Sequence, residues 1–300
     1  MPGQILVRYG ELALKSAPVR REFEGSLRRN ILDLFVREGI TGRLRADHGH
    51  LYVEVDDEGR ALKVLRRVFG VTSVSLVYEV PSDRTAIRDR LLELADARLA
   101  PGRTFAVRAR RTGGSHPFTS QELARDLGGD VLERFADRGL LVDLERPDVE
   151  LFVEVRGPRT YLSFDRVRGP GGLPLGVAGR LVALVEGPRG ALGAYLMMKR
   201  GCRVALVVLP SGEPFARGVL DRFDPGAPIT LTGNDPDDWR REVARLSEES
   251  HADGVVLPIG VEDYPANRGA WGDRVLFSPT VGWTDAEVEE RWRNVAELTA

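Results

Sequence analysis

Cysteine is all but missing from this 300-residue chain, and so is lysine. A single cysteine, Cys202, excludes an intrachain disulfide and a cysteine-based metal cage. Such a chain suits a reducing, cytoplasmic setting. No run of about 18 apolar residues occurs, so no membrane span is expected. The opening MPGQILVRYGELAL has none of the charged, apolar and cleavage regions of a signal peptide. Histidine occurs four times. His48 and His50 stand two apart at a strand start without a third ligand, and His251 has no evident partner, so no metal site is expected. Among 43 basic residues the only lysines are Lys15, Lys63 and Lys199. Arginine suits phosphate, because its planar fork can donate two bonds at once.

Charge is unevenly spread. Residues 1–168 carry 29 basic and 26 acidic side chains, and residues 169–300 carry 14 and 19. The basic excess at one end permits an anionic partner without demanding one.

Hydrophobic spacing divides the chain into three units. In the first, a strand at Gln4–Arg8 precedes Phe23, Leu27, Ile31, Leu34 and Phe35, which recur at helical spacing up to Gly39. GHLYVEV alternates as a strand, EGRALKVLRRVFG reads as a helix closed by Gly70, and VTSVSLVYEV as another strand. That order suggests a ferredoxin-like α+β unit over residues 1–77. In the second, over 78–168, a helix precedes RTFAVRARR, in which Phe105, Val107 and Ala109 alternate with Arg108 and Arg110. A further helix opens with Thr119 and Glu122 at capping-box spacing, and DVELFVEVRG and RTYLSFDRV read as a hairpin. The glycine- and proline-rich RGPGGLPLG (Arg168–Gly176) marks a boundary. Residues 177–300 then alternate strands (181–185, 203–209, 229–232, 254–259, 274–278) with helices near 188–200, 237–249 and 284–298. This is a doubly wound, mostly parallel α/β pattern.

Several stretches together resemble the tRNA 4-thiouridine synthetases, or tRNA sulfurtransferases. VRYGELALKS resembles the family's opening, and RVFGVTSVS the end of its ferredoxin-like domain. FAVRARRTGGSHPFTSQEL with DLERPDVELFVEV resembles its THUMP domain, a tRNA-binding module. RGPGGLPLG resembles its linker, and AYLMMKRG the helix after its ATP pyrophosphatase (PP) loop. The resemblance implies a ferredoxin-like domain, a THUMP domain and an α/β domain of PP-loop type. It also implies recognition of a tRNA acceptor stem and 3′ end.

The family's loop has the form Ser-Gly-Gly-Ile-Asp-Ser-Pro. Aligned through AYLMMKRG, the serine is Val185 here and the first glycine is Glu186. Gly187 survives, the aspartate is Arg189 and the second serine is Gly190. The hydroxyl donors are gone, and Glu186 would set a carboxylate against phosphate oxygens. Pro188 removes an N–H, and Arg189 cannot ligate magnesium. The family's catalytic cysteine in the C-terminal part of the third domain has no counterpart, and Cys202 suits a buried structural role. The loop Glu186, Gly187, Pro188, Arg189 and Gly190 therefore reads as degenerate, and neither a catalytic residue nor a cofactor is expected.

Expected RNA contacts fall in residues 1–168. Arg108 and Arg110 share one strand face, which Arg103 and Arg111 extend. Ser115, His116, Thr119 and Ser120 surround a helix N-terminus, where free N–H groups can meet phosphate. Lys15, Arg20, Arg21, Arg28 and Arg29 form a second basic group around the first helix, weakened by Glu22 and Glu24. For both groups an ordinary solvated surface is the alternative.

The expected function is tRNA binding without adenylation or sulfur transfer. Two alternatives stay open. One is an active enzyme in which Gly187 and Arg189 hold ATP in a changed geometry. The other is a tRNA-presenting scaffold, as a homodimer or paired with a separate subunit carrying an intact loop.

Overall fold

The computed structural model describes residues 4–10, 16–47, 50–114, 116–267, 271–272 and 274–299. The first unit runs β1 (Gln4–Tyr9), α1 (Ala17–Arg37), β2 (Gly42–Asp47), β3 (His50–Val55), α2 (Glu58–Leu65) and β4 (Val71–Pro81). α1 buries Leu27, Ile31, Leu34 and Phe35, the stripe its spacing foretells. The sequence pattern misses β2, which offers only Leu44 to the core between Arg43 and Arg45 and is fixed instead by antiparallel pairing to β3.

The second unit runs α3 (Arg84–Asp96), β5 (Thr104–Thr112), α4 (Ser120–Arg134), β6 (Leu141–Val142), β7 (Val149–Arg156) and β8 (Arg159–Ser163), with β9 (Val167–Arg168) after it. Thr119 caps α4 in a capping box with Glu122, as the spacing implies. The two units share one sheet of order β2-β3-β1-β4-β8-β7-β5-β6, with β9 also beside β4. The expected boundary at residue 77 falls inside β4.

β4 also sets which side the helices take. Its even positions Val74 and Leu76 pack into the α1/α2 core, and Tyr78 and Val80 into the α3/α4 core. Strand side chains alternate, so all four helices cover one face of the sheet. The opposite face carries a small cluster of Leu6, Tyr52, Val77 and Tyr161, with Arg8, Arg108, Arg110 and Arg156 at the same parity on their strands.

The third unit holds a parallel sheet of order β12-β11-β10-β13-β14. Its strands are β10 (Arg180–Val185), β11 (Arg203–Val208), β12 (Ile229–Leu231), β13 (Gly254–Val256) and β14 (Val275–Phe277). Helices α5 (Pro188–Lys199), Pro236–Glu249 and Asp285–Glu297 flank it. β10 is apolar on both faces: Leu181, Ala183 and Val185 enter the core under α5, while Val182 and Leu184 enter the core under Pro236–Glu249. Strand order reverses at β10, so the crevice beyond its C-terminal end is the topological switch point where such sheets place ligands.

Two features weld the units together. Phe69 of the first unit enters the third unit's core, 5.4 Å from Tyr195 and 5.3 Å from Phe223 between ring centroids. The linker is a bound strap. Gly169 and Gly171 donate to Thr72 and Val71 carbonyls, Leu173 to Lys199, and Gly176 to Gly201. Gly172 has φ +74°, and a Cβ there would lie 2.1 Å from the Lys199 carbonyl oxygen, so only glycine fits the crossing. Cys202 is buried, donates to the Ala178 carbonyl at 3.3 Å, and has its pKa pushed up by burial. These are marks of packing, the opposite of what activates a nucleophile.

Candidate nucleic-acid interface

A cleft of about 570 Å³ opens where the first two units meet on the helix-free side of the shared sheet. β5 delivers Arg110, β1 delivers Arg8, β7 ends in Arg156 and its turn into β8 delivers Gly157 and Pro158, while Arg166 precedes β9. Parallel pairing of β5 with β7 sets Arg110 beside Glu154 and Thr112 beside Arg156. Four guanidinium groups thus face one lining carboxylate, Glu154.

That carboxylate organises the floor. Arg8 donates to Glu154 Oε1 through Nε at 3.1 Å and through Nη2, and its Nη1 reaches Ser75 Oγ at 2.8 Å. Arg156 donates to the other oxygen, Oε2, at 2.5 Å and contacts both His50 ring nitrogens at 2.7 and 2.9 Å. Burial works against charge on Glu154, but Arg8 and Arg156 outweigh it, and the carboxyl is held below its ordinary range. Burial also lowers the Arg8 pKa against the pull of Glu154, though a guanidinium stays charged at neutral pH. Two cations remain for a ligand. Arg166 spends only its Nε, on Ser73 Oγ, and exposed Arg110 meets no hydrogen-bond or ion-pair partner among the described residues. The wall opposite is glycine. Gly113, Gly114 and Gly157 all hold positive φ, and a Cβ on Gly114 would stand 3.5 Å from Gly157 Cα. Backbone can therefore approach a ligand closely here.

Of the contacts expected from sequence, Arg110 alone among the described residues lines this cleft. Arg108 shares its face but is occupied by Glu150 at 2.9 Å and the Leu144 carbonyl at 2.7 Å, and Arg103 pairs with Asp148 at 3.1 Å. Arg111 does not extend the strip. It sits at the opposite parity, on the helix side, and donates to the Phe118 and His116 carbonyls, tying down the loop before α4. His116 stacks on Phe118. The Thr119 hydroxyl serves α4 itself by accepting the Glu122 N–H, and Ser120 opens that helix. Arg20 and Arg21 are exposed near the start of α1, where Arg29 bonds Ser26 and Arg28 reaches the Leu44 carbonyl. Lys15, His48 and Ser115 lie outside the described residues. Sequence reasoning missed Arg8, Arg156, Arg166 and Glu154. The one signal for Arg8 was its place opposite Ile5 and Val7 in an alternating strand. Among the described residues no group of three or more metal-binding side chains gathers, and no helix is long and apolar enough to cross a membrane.

At the switch point of the third unit, Glu186 and Gly187 join β10 to α5. Gly187 offers no side-chain cap. Glu186 folds back toward the helix, so that a Cβ on Gly190 would lie 2.4 Å from its Oε2. That oxygen is buried without a hydrogen-bond partner among the described residues. Burial raises the Glu186 pKa to about 7, against the smaller opposing effects of its own N–H, Arg189 and the Gly190 N–H. Arg189 points away, donating at 2.8 Å to each of the Thr280 carbonyl, the Trp283 carbonyl and Asp285. Ser211 Oγ holds the Glu186 carbonyl.

Both units that share the large sheet match known domain families, which makes this a THUMP-bearing protein. Residues 4–75 match the family described as the ThiI ferredoxin-like domain, and residues 82–165 match the THUMP domain. The probable tRNA sulfurtransferase of Methanocaldococcus jannaschii is 37% identical over 218 residues, 70% of this chain and 56% of that protein. Its counterpart in Methanothermobacter thermautotrophicus is 41% identical over 209 residues, covering 68% and 51%. The chain is related to the tRNA sulfurtransferases, and it spans about half the length of these curated relatives. Among solved structures, PH1313 of Pyrococcus horikoshii matches with a TM-score of 0.80 at 25% identity, over 97% of this chain and 99% of that one. A 4-thiouridine synthetase in complex with RNA and bound ATP has the same fold, with a TM-score of 0.76 at 24% identity over 100% and 86% of the two chains.

Proposed function

We propose that this protein binds tRNA through the arginine cleft between its first two units, and that its third unit neither adenylates nor transfers sulfur. The observation that carries the first half is the convergence of Arg8, Arg110, Arg156 and Arg166 around one carboxylate. Guanidinium groups with donors to spare, set against a glycine wall, suit phosphate oxygens. Contacts of that kind position RNA by backbone and shape more than by base edges. The THUMP match and the RNA bound to a synthetase of the same fold support tRNA as the ligand, and the family resemblance points to the acceptor stem and 3′ end.

The third-unit loop supports the second half. Its residues do not fit a triphosphate: the Glu186 carboxylate lies over the start of α5, Pro188 has no N–H to offer, and Arg189 is committed to Thr280, Trp283 and Asp285. The decisive experiment is a filter-binding titration of tRNA against an unrelated duplex at several salt concentrations, paired with calorimetry of ATP and magnesium. Preference for tRNA, affinity that falls steeply with salt, and no heat from millimolar ATP are expected. Equal affinity for both nucleic acids would sink the tRNA reading, and saturable ATP heat would sink the claim about the third unit.

A further inference from the structure

We propose that the junction of the first and third units holds a second anion site, in which Arg29, Arg180 and Arg203 take the phosphate of a small phosphomonoester and Asp33 takes a hydroxyl or amine on its body. This goes beyond the tRNA reading and does not depend on it. The arginine cleft lies on the helix-free side of the shared sheet, whereas this pocket lies against α1, one of the helices covering the other side.

The pocket holds about 300 Å³, the low end of the range for small-molecule sites, and is lined by α1, the end of the linker strap and the first residues of two strands. Parallel pairing of β10 with β11 sets Arg180 beside Arg203. Arg203 donates through Nη1 alone to both oxygens of Asp224, at 2.9 and 3.1 Å. Asp224 is only 4% exposed, so it anchors the guanidinium from within. The other edge, Nε with Nη2, meets only Asn30 Oδ1 among the described residues, at 3.4 Å. That edge is left able to give an oxyanion two parallel bonds. Gly176 keeps it open, since a Cβ there would stand 3.5 Å from Arg203 Nε. Arg180 has its backbone N–H held by Asp253 at 3.2 Å, while its exposed guanidinium meets no hydrogen-bond or ion-pair partner among the described residues. Arg29 and Asp33 stand four apart on α1, a spacing at which opposite charges are neighbours, yet they do not pair. Arg29 turns back to Ser26 Oγ at 2.9 Å, and Asp33 has no hydrogen-bond or ion-pair partner among the described residues. Left apart, the cations and the carboxylate suit the two ends of one small ligand, a phosphate and a proton donor. Asp33 also repels the further charge of a polyphosphate, so neither ATP nor pyrophosphate is the ligand.

The test is calorimetry of the full chain without magnesium, with glycerol 3-phosphate as the probe and methyl phosphate, which has no hydroxyl for Asp33, as its comparison. One saturable site is expected, binding glycerol 3-phosphate about tenfold more tightly than methyl phosphate. Arg180→Ala is expected to weaken the probe at least tenfold. So is Arg203→Lys, which keeps a cation on Asp224 but loses the planar fork. Asp33→Ala is expected to erase the preference over methyl phosphate. Melting curves check that each variant folds, and the tRNA affinity of Arg180→Ala is expected to be unchanged. The inference is overturned if the unaltered chain gives no saturable heat with millimolar probe, or if both arginine variants fold and bind the probe as the parent does. It is overturned equally if Asp33→Ala keeps the full preference. Loss of tRNA affinity in Arg180→Ala as large as its loss of probe affinity would overturn it too, by making the pocket a contact for RNA backbone.

Discussion

Glu154 and Glu186 are the same residue in similar burial, and the protein treats them in opposite ways. Glu154 sits between Arg8 and Arg156 and is held as a carboxylate below its ordinary range. Glu186 has an arginine three positions on, but that arginine faces Thr280, Trp283 and Asp285, and burial pushes the carboxyl up to about 7. Desolvation is the first influence on both. What separates them is whether a guanidinium answers it. The lesson concerns reading sequences as much as electrostatics, because a nearby cation in the chain is no guarantee of a nearby cation in space.

The comparison breaks most visibly at Glu154. Glu154→Gln strands Arg8 and Arg156 as poorly paired buried cations and is expected to lower unfolding free energy by about 3–5 kcal/mol in urea titrations. The depressed pKa means that the native contribution of Glu154 is present above the ordinary carboxylate range and lost on acidification through its lowered value.

Glu186 carries the opposite sign. Its raised pKa means that its contribution is full below the ordinary value of 4.5 and is lost as pH rises through about 7. Glu186→Gln is therefore expected to stabilise the protein by about 3 kcal/mol at pH 8 and to leave it unchanged near pH 4. Denaturation curves at the two pH values check this, and equal effects at both would refute it.

Within the cleft, Arg110→Ala is expected to weaken tRNA binding about tenfold and to reduce the steepness of its salt dependence by about one unit, read by filter binding. Arg103→Ala is the control. It removes an exposed pair with Asp148, and the expected cost is under about 1 kcal/mol of stability, with tRNA affinity unchanged. Parity between the two variants would remove the distinction between cleft and paired surface.

Local pattern made much of this legible. The stripe of α1, the capping box at Thr119 and the apolar strands of the third unit follow from spacing that depends only on neighbours in the chain. β2 was missed because its strand character comes from its partner. The cleft was half legible: Arg110 stood out by alternation, but Arg8 and Glu154 meet across 146 positions, and no local rule anticipates that register. The same limit misassigned Arg111, whose facing depends on the loop it ties down. In the third unit, the fold-back of Glu186 and the reach of Arg189 to residues more than ninety positions away are set by tertiary contacts that no local pattern carries.

Because β4 runs unbroken through both the first and second units, its eleven residues span roughly 36 Å as a single stiff bar. The two halves that frame the cleft cannot hinge about each other without snapping that bar's ladder. The jaws of the cleft are thus set at a fixed gauge, and under the proposed function adjustment on docking falls to the RNA.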